Sequence, residues 1–262
     1  MKHYYFLSGI ARSGSTLLGS ILNQNPEMYV SPTSPLLDLY CMTEESLQKL
    51  TTQYTFDLPT ISPAIHGSLH TSFYSNVKQN HILDKHRGWP RNIDTIKQII
   101  TSNPKVICTH RPIVENVVSF LKLANKDPDN FIDKDLKSKG IPLTTHNRAM
   151  CIWENYSADP FYSLKHGLDN NRQHIHIVKY DDLVVSPLTE LEKIYNFLEI
   201  DSYQGHYFNN ISNTCAEHDS NWGMKNLHTI NPLLNKTSDD PLEVLGEELV
   251  EYFARIDTQL NL

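Results

Sequence analysis

Nothing limits the possible folds of this chain more than its opening residues. A short apolar run, Tyr4 to Leu7, breaks into Ser8-Gly9-Ile10-Ala11-Arg12-Ser13-Gly14-Ser15-Thr16, and Thr16 to Asn23 then follows helical spacing. A buried strand that passes into a helix through small residues points the N–H groups of the first helical turn, and the positive end of the helix dipole, at one place. That place suits an anion, because the small side chains let the backbone approach it closely. Ser15 and Thr16 add hydroxyl donors and Arg12 adds a fixed positive charge. Gly9 and Gly14 have the spacing of a Walker A loop, but that loop needs Lys directly after its second glycine. Here Ser15 stands in that place and the cation has moved to Arg12. No acidic strand end is available to hold magnesium, which counts against an ordinary ATPase or kinase.

Two further apolar runs, Lys105 to Cys108 and His174 to Val178, and a weaker one at His81 to Leu83, have the length and β-branched content of buried strands in a mostly parallel sheet. Helical spacing recurs between and after them, at Asn92 to Ile100, Pro112 to Leu123, Ala149 to Leu164 and Leu188 to Leu198. Pro112 sits in a favoured first-turn position. This alternation predicts an α/β fold, a central mostly parallel sheet flanked by helices. Residues 127–145 are polar and broken by Pro128, Gly140 and Pro142, which predicts a surface loop. Residues 201–240 are irregular for so long that either a functional segment such as a lid or partial disorder is expected there. The length fits one domain over 1–262.

A net charge of −7 excludes a general nucleic-acid binder but not a local basic pocket. Cys41, Cys108, Cys151 and Cys215 form no CxxC pair, so neither a disulfide framework nor a zinc site is expected, and a reducing, cytoplasmic setting fits. The first apolar run is too short and too polar for a signal peptide. No apolar stretch approaches a membrane span, so no membrane partner is expected. His66 and His70 have the spacing of a helical metal pair but lack a third ligand, and no metal is expected.

The Arg12-Ser13-Gly14-Ser15-Thr16 turn resembles the 5′-phosphosulfate loop of sulfotransferases that use 3′-phosphoadenosine 5′-phosphosulfate (PAPS). It is most similar to the branch containing tyrosylprotein sulfotransferases and many bacterial relatives, which carry Arg where cytosolic enzymes carry Lys. Three other stretches share the resemblance. Val106 to Pro112, followed by Ser119, resembles the family's 3′-phosphate site, with Arg111 at a strand end and Ser119 two helical turns, about 11 Å, along the next helix. His176 to Val184, with Tyr180-Asp181-Asp182-Leu183, resembles its strand and YEDL turn. Asp84 to Trp89 resembles the strand end that carries a catalytic Lys, here Lys85. The resemblance spans about the first 200 residues and is looser beyond Ile200.

The resemblance implies a P-loop-type three-layer sandwich. It implies PAPS as donor and 3′-phosphoadenosine 5′-phosphate (PAP) as product, with Arg12, Ser13, Gly14, Ser15, Thr16, Arg111, Ser119 and Tyr180 around the nucleotide. Sulfuryl transfer is then an in-line displacement to a hydroxyl or amine of an unidentified acceptor, with Arg12 and Lys85 beside the leaving oxygen. One departure matters: the catalytic glutamate of tyrosylprotein sulfotransferases falls near Thr33, within Ser31-Pro32-Thr33-Ser34-Pro35, where no carboxylate stands. The general base is left open among His86, Asp38 and His228. A P-loop nucleotide kinase and a non-catalytic adenine-nucleotide binder are the alternatives.

Overall fold

The computed structural model describes residues 2–50, 55–215, 217–235 and 239–262, with the backbone alone at residue 222. Five strands, β1 (His3–Gly9), β2 (Met28–Thr33), β3 (His81–Lys85), β4 (Val106–His110) and β5 (Ile175–Lys179), form one parallel sheet in the order β2-β3-β1-β4-β5. The four apolar runs of the sequence are β1, β3, β4 and β5. β2 went unread because Ser31 and Pro32 interrupt its apolar character. It is an edge strand with a register shift between Val30 and Thr33, the setting in which a strand tolerates proline.

Twelve helices accompany the sheet in the described residues: α1 (Ser15–Leu22), α2 (Leu36–Lys49), α3 (Leu58–Phe73), α4 (Ile93–Ile99), α5 (Ile113–Lys126), α6 (Phe131–Ser138), α7 (Thr145–Ile152), α8 (Ala158–Asn171), α9 (Tyr180–Val185), α10 (Pro187–Leu198), α11 (Pro241–Leu245) and α12 (Glu247–Asp257). Alternate residues of the central strands feed two separate cores. Phe6, Val106 and Cys108 pack with α5, α7, α8 and α12 on one face, while Tyr5, Leu7 and Ile107 pack with α1 and α10 on the other. The result is the three-layer α/β fold that the strand–helix alternation predicts.

Two readings of local structure need correction. Residues 127–145 are not a loop: α6 lies within them, started by Asn130, whose side chain accepts from the Asp133 amide at 2.9 Å. Its apolar face is narrow, chiefly Ile132 and Leu136, and most of its other residues are polar, which hid it. Ala149 to Leu164 is helical throughout but is not one α-helix, because a π turn at Trp153–Ser157 joins α7 to α8. Residues 201–240 hold only a short 3-10 turn, Asp219–Trp222, and one isolated bridge, Asn209 to Leu233, among the described residues. Ala216 and residues 236–238 of this segment lie outside the described residues. The segment is pinned to the sheet at Cys215, which is buried against Gly19 of α1. A Cβ on Gly19 would stand 2.8 Å from the Cys215 sulfur, so glycine is required for that approach. Among the described residues no helix is long and apolar enough to cross a membrane.

Candidate active site

β1 sits near the middle of the sheet, with β3 on one side and β4 on the other, so the chain leaves it in two directions. In parallel sheets of this kind a crevice opens beyond the carboxyl ends of the strands at such a point. A pocket of about 280 Å³ lies there, lined by the turn after β1 and by residues after β3, β4 and β5.

The turn after β1 is held from inside. Ser13 Oγ donates to the Ile10 carbonyl at 2.6 Å and lies 2.6 Å from Thr109 Oγ1. Arg12 and Gly14 take left-handed conformations, with φ of 64° and 94°. At Gly14 this conformation favours glycine, and a Cβ there would also stand 2.7 Å from the Tyr180 ring. α1 then begins at Ser15, and the first helical hydrogen bond runs from Leu18 N to Gly14 O at 2.9 Å.

Arg12 reaches across to α5, where its Nε donates to Ser119 Oγ at 3.2 Å and its Nη1 donates to the Leu227 carbonyl. Burial, and then the nearby charge of Arg111, pull its pKa down to about 10, so it stays charged. Arg111 follows β4, stacks over the Tyr180 ring at 4.7 Å and pairs through Nε with Glu115 at 2.9 Å. Arg12, Arg111, Ser119 and Tyr180 therefore converge at one end of the pocket. The Arg12 guanidinium reaches Ser119 on α5, and Arg12 and Lys85 line the same pocket.

The other end is organised by a residue that sequence reasoning missed. Glu217 is buried beside Thr33, the position that lacks a carboxylate. Its Oε1 accepts from Thr33 Oγ1 at 2.6 Å and from the Thr33 amide at 3.2 Å, and Lys85 Nζ pairs with the same oxygen at 2.9 Å. Lys85 also reaches Thr16 Oγ1 at 3.3 Å. Glu217 Oε2 faces His228 Nε2 at 3.3 Å, and His228 Nδ1 meets Asp219 Oδ1 at 2.7 Å. Burial raises the Glu217 pKa, but Lys85, Thr33 and His228 outweigh it and hold the carboxyl at about 2. Burial, together with the Lys85 charge, lowers the His228 pKa against the upward pull of Glu217 and Asp219. No local pattern could have found Glu217, because Thr33 and Lys85 are distant in sequence, and Asp219, nine residues from His228, lies in a segment without regular spacing. The only cue was the empty carboxylate position at Thr33.

His228 and Lys85 line the pocket, and so does His86. Both His86 nitrogens are engaged: Nδ1 accepts from the Gly88 amide at 3.0 Å and Nε2 lies 3.5 Å from Asp38. Asp38 is mostly exposed and does not line the pocket. His66 and His70 lie together on α3, with His70 Nδ1 bonded to the buried Tyr40 hydroxyl at 2.7 Å. Four basic residues, Arg12, Lys85, Arg87 and Arg111, line this one pocket in a chain of net charge −7, and among the described residues no carboxylate lines it.

Several solved structures share the fold. A sulfotransferase domain from the curacin biosynthetic pathway is 19% identical with a TM-score of 0.60, covering 99% of this chain and 97% of its own. One from the olefin synthase of Synechococcus PCC 7002 is 21% identical with a TM-score of 0.54, over 97% and 95% of the two chains. A mouse sulfotransferase complexed with PAP is 13% identical with a TM-score of 0.57, over 99% and 83%. At these identities the likeness establishes the fold alone. No curated protein matches the chain in sequence. The model of the Sulfotransferase family matches residues 5–204, most of the chain, and on that match this protein belongs to the sulfotransferase family.

Proposed function

We propose that the protein transfers a sulfuryl group from PAPS to a hydroxyl or amine, with His228 as the general base. The observation that carries the reading is the pocket itself: four basic side chains, a left-handed glycine turn at a helix N-terminus, and no carboxylate among the described lining residues. A magnesium-bound nucleotide of a kinase asks for a carboxylate on the metal, so an unchelated polyanion is the better match. The residues present fit such a donor. Ser15 and Thr16, which open α1, are assigned to the 5′ end, and Arg111 and Ser119, which resemble the family's 3′-phosphate pair and have Arg12 bonded to Ser119, are assigned to the 3′-phosphate.

The donor, when bound, supplies an activated sulfuryl group whose leaving oxygen gathers negative charge. Lys85, held by Glu217 and Thr16, offers its ammonium to that charge. His228 is a better base than Glu217 for two reasons. It lines the pocket while Glu217 does not, and a carboxylate held at about 2 is weakly basic. Asp219 Oδ1, 2.7 Å from Nδ1, accepts the Nδ1 proton in this role, which leaves Nε2 as the nitrogen that takes up a proton. Nε2 lies 3.3 Å from Glu217 Oε2, so an imidazolium formed at His228 would stand between two carboxylates. A proton taken from the acceptor would lodge on Nε2, and the imidazolium so formed would be stabilised by the nearby charges of Glu217 and Asp219.

Calorimetric titration with PAP, set against ATP plus magnesium, tests the donor. At about one hundred times its Kd a ligand also adds roughly 2.7 kcal/mol of stability, enough to move the melting temperature. Binding and stabilisation by PAP without magnesium support the reading. A response to magnesium ATP alone would favour a kinase. PAP binding with no turnover of PAPS on any acceptor would favour a non-catalytic nucleotide binder.

A further inference from the structure

Among the described residues the pocket holds one cation, Arg87, that neither the donor site nor the base arrangement uses. Arg87 stands two residues beyond Lys85, past the carboxyl end of β3, and lines the pocket with Ser8, Lys85 and His86. Its carbonyl accepts from Ser8 Oγ at 3.0 Å, which fixes the backbone that carries the side chain. The guanidinium has no hydrogen bond or ion pair with any described residue, and the residue is half-buried in the pocket wall. The other pocket cations are matched: Lys85 by Glu217 at 2.9 Å, Arg111 by Glu115 at 2.9 Å, and Arg12 by Ser119 and the Leu227 carbonyl. Glu217 acts on Arg87 only through space, being committed to Lys85, Thr33 and His228.

A charge taken out of water without a counter-ion is costly, and the natural remedy is an anion from the ligand. That anion is not the 3′-phosphate proposed for Arg111. β3 and β4 flank β1, so the ends that carry Lys85 and Arg111 are two strand spacings apart, about 10 Å. Arg87 continues from β3, the Lys85 side, where transfer takes place. The donor's charge is already met by the β1 turn, Arg12, Arg111 and Lys85.

We propose that Arg87 binds a carboxylate or phosphate carried by the acceptor, so that the substrate class is an anionic alcohol or amine. The inference rests on the sulfotransferase reading above. A guanidinium suits this role because its two parallel N–H donors match both oxyanion groups. Burial lowers its pKa, but an arginine starts high enough to keep its charge.

The test uses the protein saturated with PAP and reads acceptor binding by calorimetry, without turnover. The acceptors are matched pairs: 4-ethylphenol against 4-hydroxyphenylacetate, and glycerol against glycerol 3-phosphate. At least one anionic member should bind about tenfold or more tightly than its neutral partner, the scale of one charge-assisted contact. Arg87→Gln should erase that preference, Arg87→Lys should keep part of it, and PAP affinity should be unchanged in both variants. No anion preference in the wild type, or a preference that survives Arg87→Gln, overturns the proposal. A loss of PAP affinity in Arg87→Gln would return the residue to the nucleotide, and a loss for PAPS but not PAP would assign it to the sulfuryl group. Either result overturns the proposal as well. Failure of the sulfotransferase reading itself is seen earlier, as wild-type protein that does not bind PAP before any acceptor is added.

Discussion

The two ends of the pocket are built by different means. At the end proposed for the donor, every contributor leaves a strand or rides the first turns of the next helix: Arg12 and Gly14 after β1, Arg111 after β4, Ser119 on α5, Tyr180 after β5. Sheet register fixes their relative positions, with Gly9 paired to Thr109 and His110 to Lys179. At the end proposed for transfer, Lys85 and the two residues after it, His86 and Arg87, are placed this way by β3. Glu217, Asp219 and His228 come from residues 201–240, which lack long elements, and they are held by Thr33, by Lys85 and by one another. A ligand that does not vary can be gripped by rigid strand ends, whereas the side that must suit one particular acceptor is carried on a loop segment.

The sharpest way to break this comparison is to remove one group from each end. His228→Asn should lower kcat by roughly 10² to 10⁴, the usual scale of a general base, with PAP affinity nearly unchanged. Turnover on any acceptor active with the wild type, alongside PAP titration, measures both. Arg111→Ala should do the reverse, weakening PAP about tenfold to a hundredfold for the loss of charge-assisted contacts of roughly 1.5–3 kcal/mol. If His228→Asn weakens PAP as much as Arg111→Ala does, the two ends are not separable and residues 201–240 belong to the donor site.

The same contrast explains what the sequence revealed. The β1 turn, Arg111 with Ser119, and Lys85 were legible because each is a short pattern beside an apolar run, and a sheet brings strand ends together whatever lies between them. β2 was not legible, since proline and serine at a sheet edge look like a turn. α6 was not, since its buried face is only a few residues wide. His228 could be picked out as a candidate from its setting, but its carboxylate partners could not. Glu217 answers Thr33 across a separation in sequence of 184 residues, and no local periodicity encodes such a contact.

The donor end can also be probed through stability. Gly14→Ala puts a side chain on a left-handed residue, at a cost of about 1–2 kcal/mol, and presses its Cβ to 2.7 Å from the Tyr180 ring. The denaturation midpoint should fall accordingly. Adding Tyr180→Leu should recover the part due to contact but not the part due to backbone, so the double variant should lie between. A Gly14→Ala protein of unchanged midpoint would mean that the turn is free to relax, and the rigid half of the comparison would fail.

The smallest effect discriminates most finely, because it separates a base from the group that holds it. If His228 is the base, it works as neutral imidazole and the rate falls as pH drops through its pKa. Burial sets that pKa below the ordinary value for histidine, against the upward pull of the Glu217 charge. Glu217→Gln removes the charge and keeps the burial, so the pKa should fall further and the acidic limb of the pH–rate profile should move to lower pH. Stability offers a second reading of the same variant. Glu217 is held at about 2 from an ordinary value of 4.5, so its stabilising contribution is complete above the ordinary value and is lost as pH falls toward 2. The difference in unfolding free energy between wild type and Glu217→Gln should therefore shrink over that window. An acidic limb that vanishes in Glu217→Gln, with kcat down by the full 10² to 10⁴, would make Glu217 the base and His228 its support. A limb that shifts while most activity remains would keep the roles as assigned.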